Sequence, residues 1–354
     1  MRCFLIFVGA LMLALASAAH AGDRIDDYVA EVMAKRRIPG MAIAVIQNGK
    51  VVKAQGYGYA DLNGHKPVTS ETVFQLASVT KQFVAAGVMI LVQDGRVRTD
   101  APIATYLDDL PAAWSGVTVR HLLTHTSGIE NYLASPAAAT ADLRLDPKLE
   151  ALVRTMRVQF NPGDKYQYSN SNYLLLGHLI ERVSRMPYDR FLVERIFRPL
   201  GMTATRRRVV GDPAMAVGYL LQSDGSPPKE APFLAPALWD NADGGLVTTV
   251  DDMAKWDQAL VAGTIVTKRS IDEMYARTKL NNGKVQDYGY GMVVNIVGRH
   301  RIVGHGGSRP GVATNFTRWL DDSISVVVLC NARLGGNDGF EIGRGIAKLY
   351  AAVP

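Results

Sequence analysis

The chain has 354 residues, 48% of them hydrophobic and 20% charged, which excludes a disordered or fibrous protein and allows two packed subdomains. A net charge of +6 and a pI near 9.2 come without a dense Lys/Arg run interleaved with aromatics. Arg206-Arg207-Arg208 reads as a solvated loop, so no nucleic-acid partner is expected.

At the N-terminus, Arg2, the apolar stretch from Phe4 to Ala16 and Ala19-His20-Ala21 before Gly22 read as a signal peptide over residues 1–21, cleaved after Ala21. The apolar run is short for a span, so we expect a periplasmic or secreted protein with no membrane anchor after cleavage. Cleavage removes Cys3 and leaves Cys330 alone, which rules out an intramolecular disulfide in the mature chain. Cys330 ends the run from Ser325 to Leu329 and reads as a buried small hydrophobe.

Met41 to Ile46 and Val51 to Gln55 flank Asn48-Gly49, a hairpin signal. Beyond Ser78, the residues Val79, Phe83, Val84, Val88 and Leu91 recur at three- and four-residue steps, which predicts a helix that Gly95 stops. The middle of the chain alternates helical stretches (Val119 to His125, Pro147 to Arg157, Asn172 to Arg185, Tyr188 to Arg198) with loops, among them Gly225 to Pro236. Another helix opens at Asp251, capped by Thr249 or Asp251. Strands return at Tyr290 to Ile296, His300 to Gly304, Val312 to Trp319 and Ser323 to Cys330, followed by a helix from about Phe340 to Ala351. Strands at both ends predict an α/β (α+β) fold. Its antiparallel sheet is formed by both termini (about 22–70 and 240–354) and flanked by helices, with an all-helical subdomain (about 71–239) inserted.

A helix starting near Ser78 places Lys81 one turn along on the same face, within reach of the hydroxyl, and aims free backbone N–H groups at whatever the serine attacks. A desolvated lysine can take a serine's proton once its pKa falls, so Ser78-x-x-Lys81 reads as acyl-enzyme chemistry. Spacing alone is weak support: Ser226-Pro227-Pro228-Lys229 repeats it in a proline-rich loop. Two further stretches carry chemistry. Asn161 to Asn170 leads into a helix and presents the phenol of Tyr168. Gly304-His305-Gly306-Gly307-Ser308-Arg309 follows a short strand and offers a ring nitrogen beside bare backbone.

Ser78-x-x-Lys81, Tyr168-Ser169-Asn170 and His305-Gly306-Gly307 together resemble the three ordered motifs of the class C β-lactamase-like serine hydrolases, which include family VIII carboxylesterases and D-aminopeptidases. Leu122 to Gly128, Pro199 to Met202 and Gly244 to Thr249 resemble the same family, so the likeness covers nearly the whole mature chain. The resemblance implies Ser78 as the acylated nucleophile, Lys81 as its activator and Tyr168 as general base and then proton donor. It implies Asn170 hydrogen-bonded to the lysine or the substrate, and an oxyanion hole from the N–H groups of Ser78 and Ser308. Which of Lys81 and Tyr168 is the acylation base stays open. His305, Gly306 and Gly307 fall where class C β-lactamases carry Lys-Thr-Gly. A histidine is mostly neutral near pH 7, so β-lactamase activity is discounted unless Arg309 supplies the missing cation to substrate.

His121 and His125 lack a third ligand and read as structural, and no metal or organic cofactor is implied. No Gly-x-Ser-x-Gly elbow occurs, which argues against an α/β-hydrolase. Trp239 and Tyr288 either wall the cleft or fill the core. The expectation is an exported serine hydrolase acting on carboxylic esters or small amides, with a small-molecule ester, amide or peptide as its partner. The alternatives are a D-amino-acid peptidase or amidase, a β-lactamase, or a non-catalytic binding or regulatory protein on this scaffold. Oligomeric state is not legible.

Overall fold

The computed structural model describes residues 24–135, 151–209, 211–232, 241–333, 335, 338–351 and 353–354. Helix α1 (24–36) precedes strands β1 (Gly40–Gln47), β2 (Lys50–Asp61) and β3 (Lys66–Pro67). The Asn48-Gly49 turn joins β1 to β2 with φ of 52° and 73°, the two positive values that a tight right-twisted hairpin demands. Helices α2 (Thr80–Gln93), α3 (Asn170–Ser184) and α4 (Val250–Ala262) follow. The chain closes with β4 (Val293–Val297), β5 (His300–Arg309), β6 (Val312–Trp319), β7 (Ile324–Cys330) and α5 (Asp338–Ala347).

The seven strands form one sheet in the order β4-β5-β6-β7-β1-β2-β3, all neighbours antiparallel. The first strand therefore lies inside the sheet, paired with the last from Met41↔Cys330 to Gln47↔Ile324. β1 is apolar at nearly every position because both of its faces are covered. Ala42, Ala44 and Ile46 face a core shared with Phe83, Val84 and Trp256, while Met41, Ile43 and Val45 face Ile25, Val29, Ile342 and Ile346 of α1 and α5. The period of two sorts neighbouring residues into separate cores. Cys330 sits in the second of these, fully buried, its thiol pushed up to about 12 by desolvation.

Every residue of α2 from Thr80 to Leu91 is buried, so this helix is the axis of the helical layer. Phe83 packs on Phe197 and Trp256, and the missing side chain of Gly87 admits Leu192 and Ile180. Thr249 caps α4 through the Asp252 N–H. A small sheet of Phe74–Gln75, Leu246–Thr248 and Arg206–Arg207 lies just before α2 and brings the 241–245 turn beside Ser78.

Two expectations differ in detail. The strand expected to end at Gly304 continues to Arg309, so His305 to Ser308 lie within β5 and not in a loop after it. Glycines read as breakers, but main-chain pairing from Ile302↔Trp319 to Arg309↔Val312 holds them extended. The stretch Tyr188 to Arg198 splits into a short α-helix (Tyr188–Leu192) and a π-helical turn (Val193–Phe197). Residues 1–21, Trp239 and residues 147–150 of the helix expected over Pro147 to Arg157 lie outside the described residues, while 151–154 of that stretch are helical. Among the described residues, no helix is long and apolar enough to cross a membrane.

Candidate active site

Ser78 sits in a 3-10 turn (Ala77–Val79) that runs straight into α2. The residue before it, Ala77, has φ of 47°, a left-handed conformation that costs a non-glycine residue about 1–3 kcal/mol unless its surroundings enforce it. They do so here from two sides. Leu76 donates its N–H to Leu246 O at 2.8 Å and accepts from Thr314 Oγ1 at 2.8 Å. Gly307 lies flat against the same turn, and any Cβ there would strike the Leu76 carbonyl. The glycine is thus what lets β5 touch the turn that bears Ser78.

Lys81 is fully buried and donates to three oxygens: Asp243 O at 2.6 Å, Asn170 Oδ1 at 2.8 Å and Ser78 Oγ at 3.2 Å. Two of these are pure acceptors, and only the serine hydroxyl can also donate. A neutral amine has two N–H bonds and one lone pair. With its protons given to Asp243 and Asn170, the lone pair faces Ser78. Burial pushes the lysine down to about 7, the Asp243 carboxylate pulls it back up, and the charge on Arg309 lowers it again.

The phenol of Tyr168 is held by ring contacts. His125 packs against it at 4.3 Å between centroids, and Lys81 Nζ lies 5.0 Å from its ring centre. Its buried hydroxyl makes no hydrogen bond of ordinary length among the described residues. Burial raises its pKa, with Asp243 and Tyr166 adding to the rise, while the nearby Ser78 hydroxyl works against it. The resting group is therefore the phenol, a proton donor with an open position.

Behind Tyr168 runs a chain of three polar rings. Nδ1 of His125 accepts from Ser169 N–H at 3.3 Å and lies 3.2 Å from the Asn172 amide nitrogen, so the ring carries its proton on Nε2. That N–H donates to Tyr288 Oη at 3.2 Å, and Tyr288 in turn donates to Nε2 of His305 at 3.0 Å. His305 is left with its proton on Nδ1, donated to Gly306 O at 2.6 Å. Both its nitrogens are thereby occupied. Burial, then the charge on Lys81, pushes the ring down to about 4, so it stays neutral at pH 7. Tyr288 is 2% exposed and is the hub of this chain.

Arg309 is 6% exposed and is not a loop residue on the surface. It donates to Gln75 Oε1 at 3.1 Å and to the Gly244 carbonyl, tying the end of β5 to the strand that enters Ser78. Gly306 and Ser308 alternate with the inward-facing residues of β5 and are exposed. His121 belongs to a capping box at Thr118. Among the described residues, no group of three or more His, Cys, Asp or Glu is placed to hold a metal. A cavity of about 210 Å³ lies beside β5, lined by Asn295, Gly304, Gly306, Asn315, Thr317 and Phe340. His305 also lines it, whereas Ser78, Lys81 and Tyr168 do not.

Sequence reasoning passed over Asp243, although it precedes a quoted Gly-Gly stretch. Its carbonyl makes the shortest bond to Lys81, and its buried carboxylate accepts from Tyr132 Oη at 3.0 Å. No motif rule flags an aspartate that uses its backbone on one neighbour and its side chain on another.

A family model described as Beta-lactamase matches residues 25–351. The chain belongs to the beta-lactamase family. Within it, the chain is 29% identical over 313 residues to penicillin-binding protein 4* of Bacillus subtilis, covering 84% of this chain and 69% of that protein. It is 30% identical over 326 residues to a D-aminopeptidase of Brucella anthropi, covering 89% of this chain but only 60% of the relative's length. The solved D-amino acid amidase of Ochrobactrum anthropi SV3 superposes with a TM-score of 0.77 at 27% identity, covering 93% of this chain and 96% of that one. This beta-lactamase-family chain is accordingly a serine hydrolase with the α/β architecture of its relatives.

Proposed function

We propose that the protein hydrolyses carboxylic esters or small amides with no required carboxylate, through an acyl-enzyme on Ser78. One observation carries this reading: the position that would offer a fixed cation is His305, neutral and with both nitrogens occupied, while Arg309 is committed to Gln75 and Gly244. A substrate anion gains nothing from such groups, which disfavours β-lactams and peptides with a free C-terminal carboxylate.

In this reading, Lys81 takes the Ser78 proton as the hydroxyl oxygen attacks the carbonyl carbon. The N–H groups of Ser78 and Ser308 hold the oxyanion. Tyr168 gives its proton to the leaving alcohol or amine, and the proton on Lys81 then restores the phenol. Attack by water, with the same groups acting in reverse, frees Ser78. The pKa values of the two groups are driven apart, which is how a base and an acid are distinguished in one site. Similarity to the D-aminopeptidase and the D-amino acid amidase supports a second reading, D-amino-acid amides or peptides, within the same chemistry.

The test pairs p-nitrophenyl butyrate, D- and L-phenylalaninamide and a chromogenic cephalosporin, each with wild type and Ser78→Ala. Ester or amide turnover abolished in the variant, with slow cephalosporin turnover, supports the proposal. Efficient cephalosporin hydrolysis would overturn the substrate argument. The subdomain boundaries near residues 70 and 240, and export with a leader over residues 1–21, are proposals of the same kind. A mature N-terminus at Gly22 after expression in a Gram-negative host supports the leader, and retention of Met1 removes it.

A further inference from the structure

We propose that Tyr132 and Asp243 form a positioning clamp that aims Lys81 at Ser78, with the Asp243 carboxylate setting the pH range in which the lysine works. The inference rests on the reading of Ser78 and Lys81 given above. Asp243 lies in a tight turn in which Gly244 N–H and Gly245 N–H both return to Asn241 O, at 3.0 and 2.6 Å. Arg309 holds that turn from the β5 side through the Gly244 carbonyl. Tyr132 holds it from the other side by donating to Asp243 Oδ2.

Tyr132 is itself fixed by the helix of the second motif. Its N–H donates to Ser171 Oγ at 3.0 Å, and its neighbour Asn131 accepts from the Asn170 N–H at 3.2 Å. The clamp therefore ties the orientation of one Lys81 acceptor, Asp243 O, to that of the other, Asn170 Oδ1. Displacing either acceptor would let an N–H face Ser78 in place of the lone pair.

The carboxylate has a second role. Oδ1 of Asp243 is buried with no hydrogen-bond partner among the described residues, and burial raises the pKa of this carboxyl while Lys81 and Arg309 work against the rise; once ionised, it acts on Lys81 through space. Other groups facing Lys81 are Asn170 from α3, the rings of Tyr168 and Tyr173 at 5.0 and 5.6 Å, Arg309 from β5, and the neutral His125 and His305. Among the described residues, Asp243 is the only carboxylate whose charge is felt at Lys81, and Arg309 opposes it.

The experiment follows the second-order rate of Ser78 labelling by a fluorophosphonate from pH 5 to 10, which needs no knowledge of the substrate. Wild type is compared with Asp243→Asn, Asp243→Ala and Tyr132→Phe, each checked for a native melting transition. Asp243→Asn keeps an acceptor for Tyr132 but removes the charge, so its acid limb moves down by about one pH unit. Asp243→Ala shows the same displacement and a further loss of about tenfold in the limiting rate. Tyr132→Phe, which leaves the carboxylate in place, loses rate with a much smaller displacement. Wild-type labelling with profiles that superimpose in all three folded variants would overturn the clamp alone. No labelling of wild-type Ser78 at any pH would overturn the reading beneath it as well.

Discussion

Tyr288 donates its phenolic proton to Nε2 of His305 across 3.0 Å, and this single bond fixes which tautomer the third motif presents. Tyr288→Phe leaves two buried nitrogens, one on His305 and one on His125, without a partner. Each orphaned group costs about 1–3 kcal/mol, so the variant is expected to melt several degrees lower. His305 then titrates nearer its ordinary range, which imidazole NMR shifts would report. An unchanged melting temperature would mean that the ring chain carries no weight.

The same histidines give the fold an acid limit. His305 lies at about 4 in the folded protein against 6.5 unfolded, so the unfolded chain binds more protons between those values. Stability is therefore full above pH 6.5 and falls as pH drops through 4, by about 3 kcal/mol at most from this residue. His125, also depressed by burial, adds to the fall. Lys81 acts at higher pH with the same sign, adding stability as pH rises from about 7 towards 10.5. Urea midpoints at pH 7.5 and 4.5 test the first point. A His305→Gln variant with an undiminished acid loss would contradict the assignment.

Assigning base and acid separately predicts two distinct lesions. The rate of Ser78 acylation rises with pH through about 7 as Lys81 loses its proton, and Lys81→Met lowers kcat by about 10³-fold or more. Tyr168→Phe keeps that limb but loses leaving-group protonation, a contribution of about 10²–10⁴-fold. The loss should be larger for an amide than for a p-nitrophenyl ester, whose leaving group needs no proton. Equal losses on both substrates would contradict the role of Tyr168 as acid.

Gly307→Ala brings a methyl group onto the Leu76 carbonyl and within 3.1 Å of the Ala77 Cβ. The strand or the turn must yield, at a cost of about 1–3 kcal/mol. Because the turn carries Ser78, fluorophosphonate labelling should fall more steeply than stability. A variant that labels at the wild-type rate would show that the contact does not position the nucleophile.

Much of the fold was legible because period and punctuation agree. Asn48-Gly49, the three- and four-residue steps after Ser78 and the apolar run up to Cys330 each specify their element locally. The third motif was misplaced because glycines that read as a loop are held in a strand by pairing with β6. The site was legible only as far as its motifs reach. Asp243 lies 162 residues from Lys81 and 111 from Tyr132, and Tyr288 lies 163 from His125. Such partners meet through tertiary packing, and no local spacing marks them. The burial of Arg309 was hidden for the same reason, since Gln75 stands 234 residues away.

The pairing of β1 with β7 has a consequence for synthesis. Met41 is made 289 residues before its partner Cys330. Until then, an almost wholly apolar strand has β2 on one side and an open edge on the other. Folding of the sheet is thus a late event dominated by long-range contacts. A chain cut before Ile324 would lack the strand that joins its two ends. It would keep every residue of Ser78-x-x-Lys81, Tyr168-Ser169-Asn170 and His305-Gly306-Gly307, yet have no central strand to hold them in register.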